Sequence, residues 1–116
     1  MTNAKKLLYI SDLDGTLLDE EGRLPADSIK RLNKLIDKGL NFTIATARNY
    51  DSAYPLLKGL NLKHPVILFN GVYLTEFHTG TNLLFSDFIS VDIINKMISI
   101  ADGHNIEPFI YTYGDK

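Results

Sequence analysis

Three short apolar runs in the first seventy residues constrain this chain most. Lys6 to Ser11, Leu40 to Ala45 and Pro65 to Phe69 are each brief, apolar and rich in branched side chains. Helical patterns separate them. Between the first two, Ile29, Leu32, Leu35 and Ile36 recur at helical spacing, Pro25 can open the helix and Gly39 can close it. Between the second and third, a helix is predicted from about Asp51 to Leu60, with Pro55 awkward unless it lies in the first turn. Strand, helix, strand, helix, strand implies right-handed crossovers and a parallel sheet, hence an α/β fold.

The rest of the chain reads differently. Val72 to Phe88 holds two extended runs around Thr79-Gly80, predicted as a hairpin. Val91, Ile94, Met97, Ile98 and Ala101 describe a further amphipathic helix. Ile106 to Tyr113 is an extended aromatic run, whose Phe109, Tyr111 and Tyr113 alternate as packing residues of a strand would. The expected organisation is a core segment over residues 1–86 and the beginning of a second α/β segment over 87–116.

In open parallel sheets, ligands bind beyond the carboxyl ends of the strands. Polar residues gather there. Asp12, Asp14 and Gly15 follow the first strand, Thr46-Ala47-Arg48 the second and Asn70-Gly71 the third. Two carboxylates so close repel each other, and a hard cation such as Mg²⁺ would relieve the conflict. The same opening starts calcium loops, which need glycine at the sixth position and glutamate at the twelfth. Counted from Asp12 these are Leu17 and Arg23, so that reading fails. A solvated acidic turn is the plainer alternative. Chemically, Asp12 has the makings of a nucleophile and Asp14 of a general acid and base. Gly15 allows a sharp turn, the amides after Asp12 can face a phosphate, and the Thr46 hydroxyl can hold one of its oxygens.

Composition removes other classes. Lys plus Arg number 12 and Asp plus Glu 14, a net charge of −2, which disfavours a nucleic-acid binder working by phosphate neutralisation. There is no cysteine, so no disulfide, thiolate metal site or cysteine nucleophile. That suits a cytoplasmic protein. No apolar run has membrane-spanning length, and the short apolar stretch ending at Asp12 reads as a strand, not a signal peptide. His64, His78 and His104 have no ligand spacing and are expected to bind no metal. Asp19, Glu20 and Glu21 read as a solvated loop.

The run Asp12-Leu13-Asp14-Gly15-Thr16-Leu17-Leu18 resembles the first motif of the haloacid dehalogenase superfamily of phosphohydrolases. Thr46-Ala47-Arg48 resembles the second, with alanine where glycine usually precedes the arginine. Asn70-Gly71 followed by a hairpin resembles the Cof-type branch, which carries a large α/β cap. The resemblance covers essentially the whole chain, as the amino-terminal part of a longer protein. It implies a Rossmann-like core and a small phosphorylated metabolite as substrate, sugar phosphates first. It makes Asp12 the nucleophile and a Mg²⁺ ligand. Asp14 becomes the acid/base, lending the metal its carbonyl, and Thr46 with the amides of Leu13 and Ala47 holds phosphate. Arg48 and Asn70 are assigned substrate or cap contacts.

The family's third motif, a lysine, and its fourth, an acidic pair, have no counterpart here. Beyond Gly71 the lysines are Lys96, expected on a solvated helix face, and Lys116. The expectation is therefore an incomplete phosphatase, inactive by itself, with Leu7 to Ile10 left as an apolar sheet edge open to self-association. The alternatives are a non-catalytic module that binds phosphate or Mg²⁺ through a partner, and a phosphomutase sharing the aspartyl-phosphate step.

Overall fold

The structure is a computed structural model that describes residues 6–113. The chain divides into two compact units, Met1–Ser86 and Asp87–Lys116.

Among the described residues, the first unit holds five strands and two helices. Strand β1 (Tyr9–Ser11) leads through a loop to helix α1 (Ala26–Asp37) and strand β2 (Phe42–Ile44). Helix α2 (Tyr50–Leu57) then leads to strand β3 (Val66–Leu68). A short 3₁₀ turn, Phe69–Gly71, precedes strand β4 (Tyr73–Thr75), and strand β5 (Asn82–Phe85) completes the hairpin. β1 and β2 pair in parallel, with Tyr9 opposite Phe42 and Ser11 opposite Ile44. A parallel bridge between Ala45 and Ile67 joins β2 to β3. β4 and β5 extend the array antiparallel, with Leu68 opposite Tyr73 and Leu74 opposite Leu84. The parallel α/β reading and the hairpin are both present.

Burial explains the order. β2 is buried along its whole length, as the middle of a parallel array must be. Its neighbours Leu13, Ile36, Leu57, Val66, Leu68 and Phe77 form one apolar core. Ile36 anchors α1 there, whereas Leu35 of the predicted face is about half exposed. Pro25 takes the N-cap position of α1, one residue before the predicted place.

Three expectations need correction. β1 is shorter than Lys6–Ser11, while Leu7, Leu8, Tyr9 and Ile10 each show more than half of their surface, as the apolar edge expected there would. Among the described residues β1 is paired only with β2, so nothing there covers its other edge. α2 begins at Tyr50 and ends at Leu57, and Pro55 lies inside it, beyond the first turn. Pro55 takes away the helix bond that would run to the Asp51 carbonyl, and its exposed ring displaces no core side chain. Asp19, Glu20 and Glu21 are exposed, as expected of a solvated loop, and Asp19 also orders it. Its Oδ1 accepts from the amides of Glu21 (3.0 Å) and Arg23 (2.9 Å).

The second unit holds helix α3 (Val91–Gly103), capped by Ser90, whose Oγ accepts from the amide of Ile93. Lys96 is exposed on it. The third correction lies beyond. Residues 106–113 form no strand, and Phe109, Tyr111 and Tyr113 are exposed, with Phe109 at 93%. Alternating aromatics make a strand only when a neighbouring strand takes up their backbone groups. Tyr113 meets the Phe88 ring instead, at 6.0 Å. No helix among the described residues is long and apolar enough to cross a membrane.

Candidate functional site

The register of the parallel strands brings the polar endings together. Ser11 stands opposite Ile44, and the amide of Ala45 donates to the Ser11 carbonyl at 2.9 Å. Asp12 therefore leaves the sheet beside the point where Thr46 leaves it. Thr46 is tied to the third strand in turn. Its amide donates to the Ile67 carbonyl (3.0 Å), and its carbonyl accepts from the amide of Asn70 (3.1 Å). Asn70 has φ 55°, a left-handed conformation that asparagine accepts more readily than most residues. The Phe69 amide closes the lacing on the Arg48 carbonyl at 2.9 Å.

Asp12 is exposed at the end of β1. Its Oδ1 accepts from the amide of Leu13 at 2.7 Å, and its carbonyl accepts from the Ser11 hydroxyl at 2.7 Å. The Leu13 side chain is fully buried, which pins this short segment to the core. The next turn wraps on the Leu13 carbonyl, which accepts from the amides of Leu17 and Leu18, both at 3.0 Å. Gly15 has φ +73° there, a value that strains any residue with a Cβ. A phosphate could use the Leu13 amide only once Asp12 turns away from it.

Asp14 is held differently. Arg48 grips it with two parallel bonds, Nε to Oδ2 and Nη2 to Oδ1, each 2.8 Å. The guanidinium hydrogen bonds hold the Asp14 carboxyl below its ordinary value of 3.8, against a smaller opposing effect of desolvation. The same pair raises Arg48. The repulsion between Asp12 and Asp14 calls for a cation, and the family resemblance gives Arg48 substrate or cap contacts. In this structure a cation of the chain itself neutralises Asp14. Nη1 of Arg48 also donates to Ser52 Oγ at 2.8 Å. Ser52 escaped the sequence reading. Its faint signal is Asn49, three residues earlier, the N-cap of α2, whose Oδ1 accepts from the Ser52 amide at 2.9 Å.

Thr46 is buried, and its Oγ1 accepts from the amide of Arg48 at 3.2 Å, which leaves the hydroxyl hydrogen available to donate. Ala47 and Asn70 are exposed. His64 and His78 lie elsewhere, with Nε2 3.0 Å from Asn41 Oδ1 and 2.7 Å from the Leu62 carbonyl respectively.

The donor set bears on a metal. Mg²⁺ takes oxygen ligands and needs only one or two carboxylates when phosphate and water supply the rest. The exposed Asp12 carboxylate fits that demand. Among the described backbone contacts none ends on the Asp14 carbonyl, so it too fits. Among the described residues no group of three or more metal-ligating side chains comes together, so the chain offers a partial shell.

Residues 9–116 match the family model of the haloacid dehalogenase-like hydrolases. The chain belongs to that family. It is 33% identical over 100 residues to pyridoxal phosphate phosphatase YbhA of Escherichia coli, covering 86% of this chain and 36% of the relative. It is 24% identical over 102 residues to the 5-amino-6-(5-phospho-D-ribitylamino)uracil phosphatase YitU of Bacillus subtilis, covering 88% and 38%. The chain thus spans a little over a third of the length of these relatives. In structure it is similar to the phosphatase BT1666 from Bacteroides thetaiotaomicron, with a TM-score of 0.72 at 24% identity, over 90% of this chain and 39% of that one. That likeness extends to the fold.

Proposed function

We propose that the chain is the nucleophile-bearing part of a Mg²⁺-dependent phosphatase for small phosphate monoesters, sugar phosphates among them. The observation that carries this is the exposed Asp12 carboxylate, fixed at the end of β1 beside Thr46. The names of the relatives, phosphatases of small phosphorylated compounds, support the substrate class.

In the reaction we infer, an Asp12 oxygen attacks phosphorus and the bond to the ester oxygen breaks. Asp14 gives that oxygen its proton. A water then attacks the aspartyl-phosphate, Asp14 takes a proton from it, and the bond from phosphorus to Asp12 breaks. Thr46 donates its hydroxyl hydrogen to a phosphate oxygen, and the Ala47 amide is placed to assist. The Asp12 carboxylate and the Asp14 carbonyl would hold Mg²⁺, which would supply charge neutralisation around the phosphate. Each Asp14 oxygen that Arg48 holds keeps a second lone pair, at which a proton can be exchanged. Residues 87–116 belong, on this reading, to the start of the substrate-selecting cap.

No lysine or acidic pair equivalent to the family's later motifs occurs within these 116 residues, so the chain alone is expected to bind rather than turn over. The test is orthovanadate binding and aryl-phosphate hydrolysis by the purified chain, with and without Mg²⁺, beside Asp12→Asn. The expected result is Mg²⁺-dependent vanadate binding that Asp12→Asn removes. Mg²⁺-dependent turnover, lost in the same variant, would mean that the first two motifs suffice. Neither binding nor turnover would overturn the assignment and favour a module without phosphate chemistry.

A further inference from the structure

Every nitrogen of the Arg48 guanidinium has a partner. Nε and Nη2 face Asp14, and Nη1 faces Ser52. The backbone of Arg48 is equally constrained, its amide on Thr46 Oγ1 at 3.2 Å and its carbonyl on the Phe69 amide at 2.9 Å. Asp14 stands in an exposed turn with 55% of its side chain open. An arginine fork against a carboxylate fixes the plane of both groups, but only if the fork itself is held. Ser52 holds it. The serine is in turn set by the first turn of α2, through its amide and Asn49 Oδ1. A path of hydrogen bonds therefore runs from the helix cap to the carboxylate.

We propose that Ser52 is a positioning residue, acting through Arg48 to fix the direction in which Asp14 presents its carboxylate at the strand ends. The catalytic meaning rests on the reading of Asp14 as the acid/base, for which alignment within hydrogen-bond reach decides whether a proton passes. Ser52 itself touches no reacting atom. Its hydroxyl supplies one acceptor, and that acceptor selects one arrangement of a long side chain from many.

The experiment is solution NMR of the 116-residue chain without metal, reading the Arg48 Nε–H exchange rate and the Asp14 carboxyl ¹³C signal. Removing a hydrogen bond to a charged group is expected to raise the exchange rate in Ser52→Ala about fivefold or more. The Asp14 signal should move with it, and Ser52→Thr, which keeps the hydroxyl, should restore both. Amide signals of α2 report whether the helix is intact. Should Ser52→Ala fray it, Arg48→Lys gives the second test, because with the fork gone Ser52→Ala should no longer move the Asp14 signal. Exchange unchanged in Ser52→Ala, or an Asp14 shift of equal size with and without the arginine, overturns the proposal. None of these readings depends on turnover, so a failed phosphatase assignment and a failed positioning role are told apart.

Discussion

At the scale of single residues the pair Asp14 and Arg48 dominates the site. A carboxyl held below its ordinary value adds stability above that value, and the addition fades as pH falls through the depressed one. The contribution is therefore complete above about 3.8 and is lost in more acid solution. Because the pair is half open to solvent, its effect on overall stability is screened and small. The local effect is the measurable one. In Arg48→Ala the Asp14 carboxyl should titrate at a higher pH than in the parent chain, read from its ¹³C signal. A midpoint that stays in place would mean that the two groups do not pair in solution. The strand-end positions of Asp12, Asp14, Thr46 and Asn70 are legible in the sequence because each follows an apolar run directly. The partnership of Asp14 with Arg48 is not. The two are 34 residues apart, and only the register of β1 on β2 brings them together. Ser52 is less legible still, since nothing marks a helix serine as the partner of one particular guanidinium.

At the scale of elements, the hairpin and α2 are fastened to each other within the first unit. The Tyr50 hydroxyl donates to the Phe77 carbonyl at 2.8 Å, and the rings of Tyr50, Tyr54 and Phe77 lie with centroids 5.3 to 6.2 Å apart. Gly80 completes the turn between β4 and β5 at φ +73°, and a Cβ there would stand 2.9 Å from the Tyr50 ring. The ring is packed and hydrogen-bonded, so it cannot simply swing away. Gly80→Ala should cost about 2 kcal/mol, joining a left-handed backbone penalty to a clash. Denaturant unfolding measures it. In a Tyr50→Leu background the clash is relieved, and the same substitution should cost about 1 kcal/mol, the backbone part alone. Equal costs in both backgrounds would show that Tyr50 is not the obstacle. The Thr79-Gly80 pair makes this hairpin readable from sequence. The failure over residues 106–113 has the opposite cause, because an extended run with aromatics becomes a strand through a neighbour that local pattern does not specify.

At the scale of the whole chain, the same dependence on neighbours governs β1. Its composition is that of an interior strand, apolar on both faces, while its pairing is that of an edge. Leu8 and Ile10 are 52% and 53% exposed, and the backbone on the side away from β2 has no strand partner among the described residues. A short apolar strand with open backbone groups is a template for pairing with another chain. Burying such side chains stabilises by about 25 cal/mol per Å² of apolar surface, which favours association as concentration rises. The purified chain is therefore expected to self-associate, with an average mass by sedimentation velocity that grows with concentration. Leu8→Lys places a charge on that edge without touching Asp12, Asp14 or Thr46. It should shift the population toward monomer while vanadate binding persists. A parent chain that stays monomeric at every concentration would show that β1 tolerates its open edge. Association unchanged by Leu8→Lys would move the contact to another surface of the molecule.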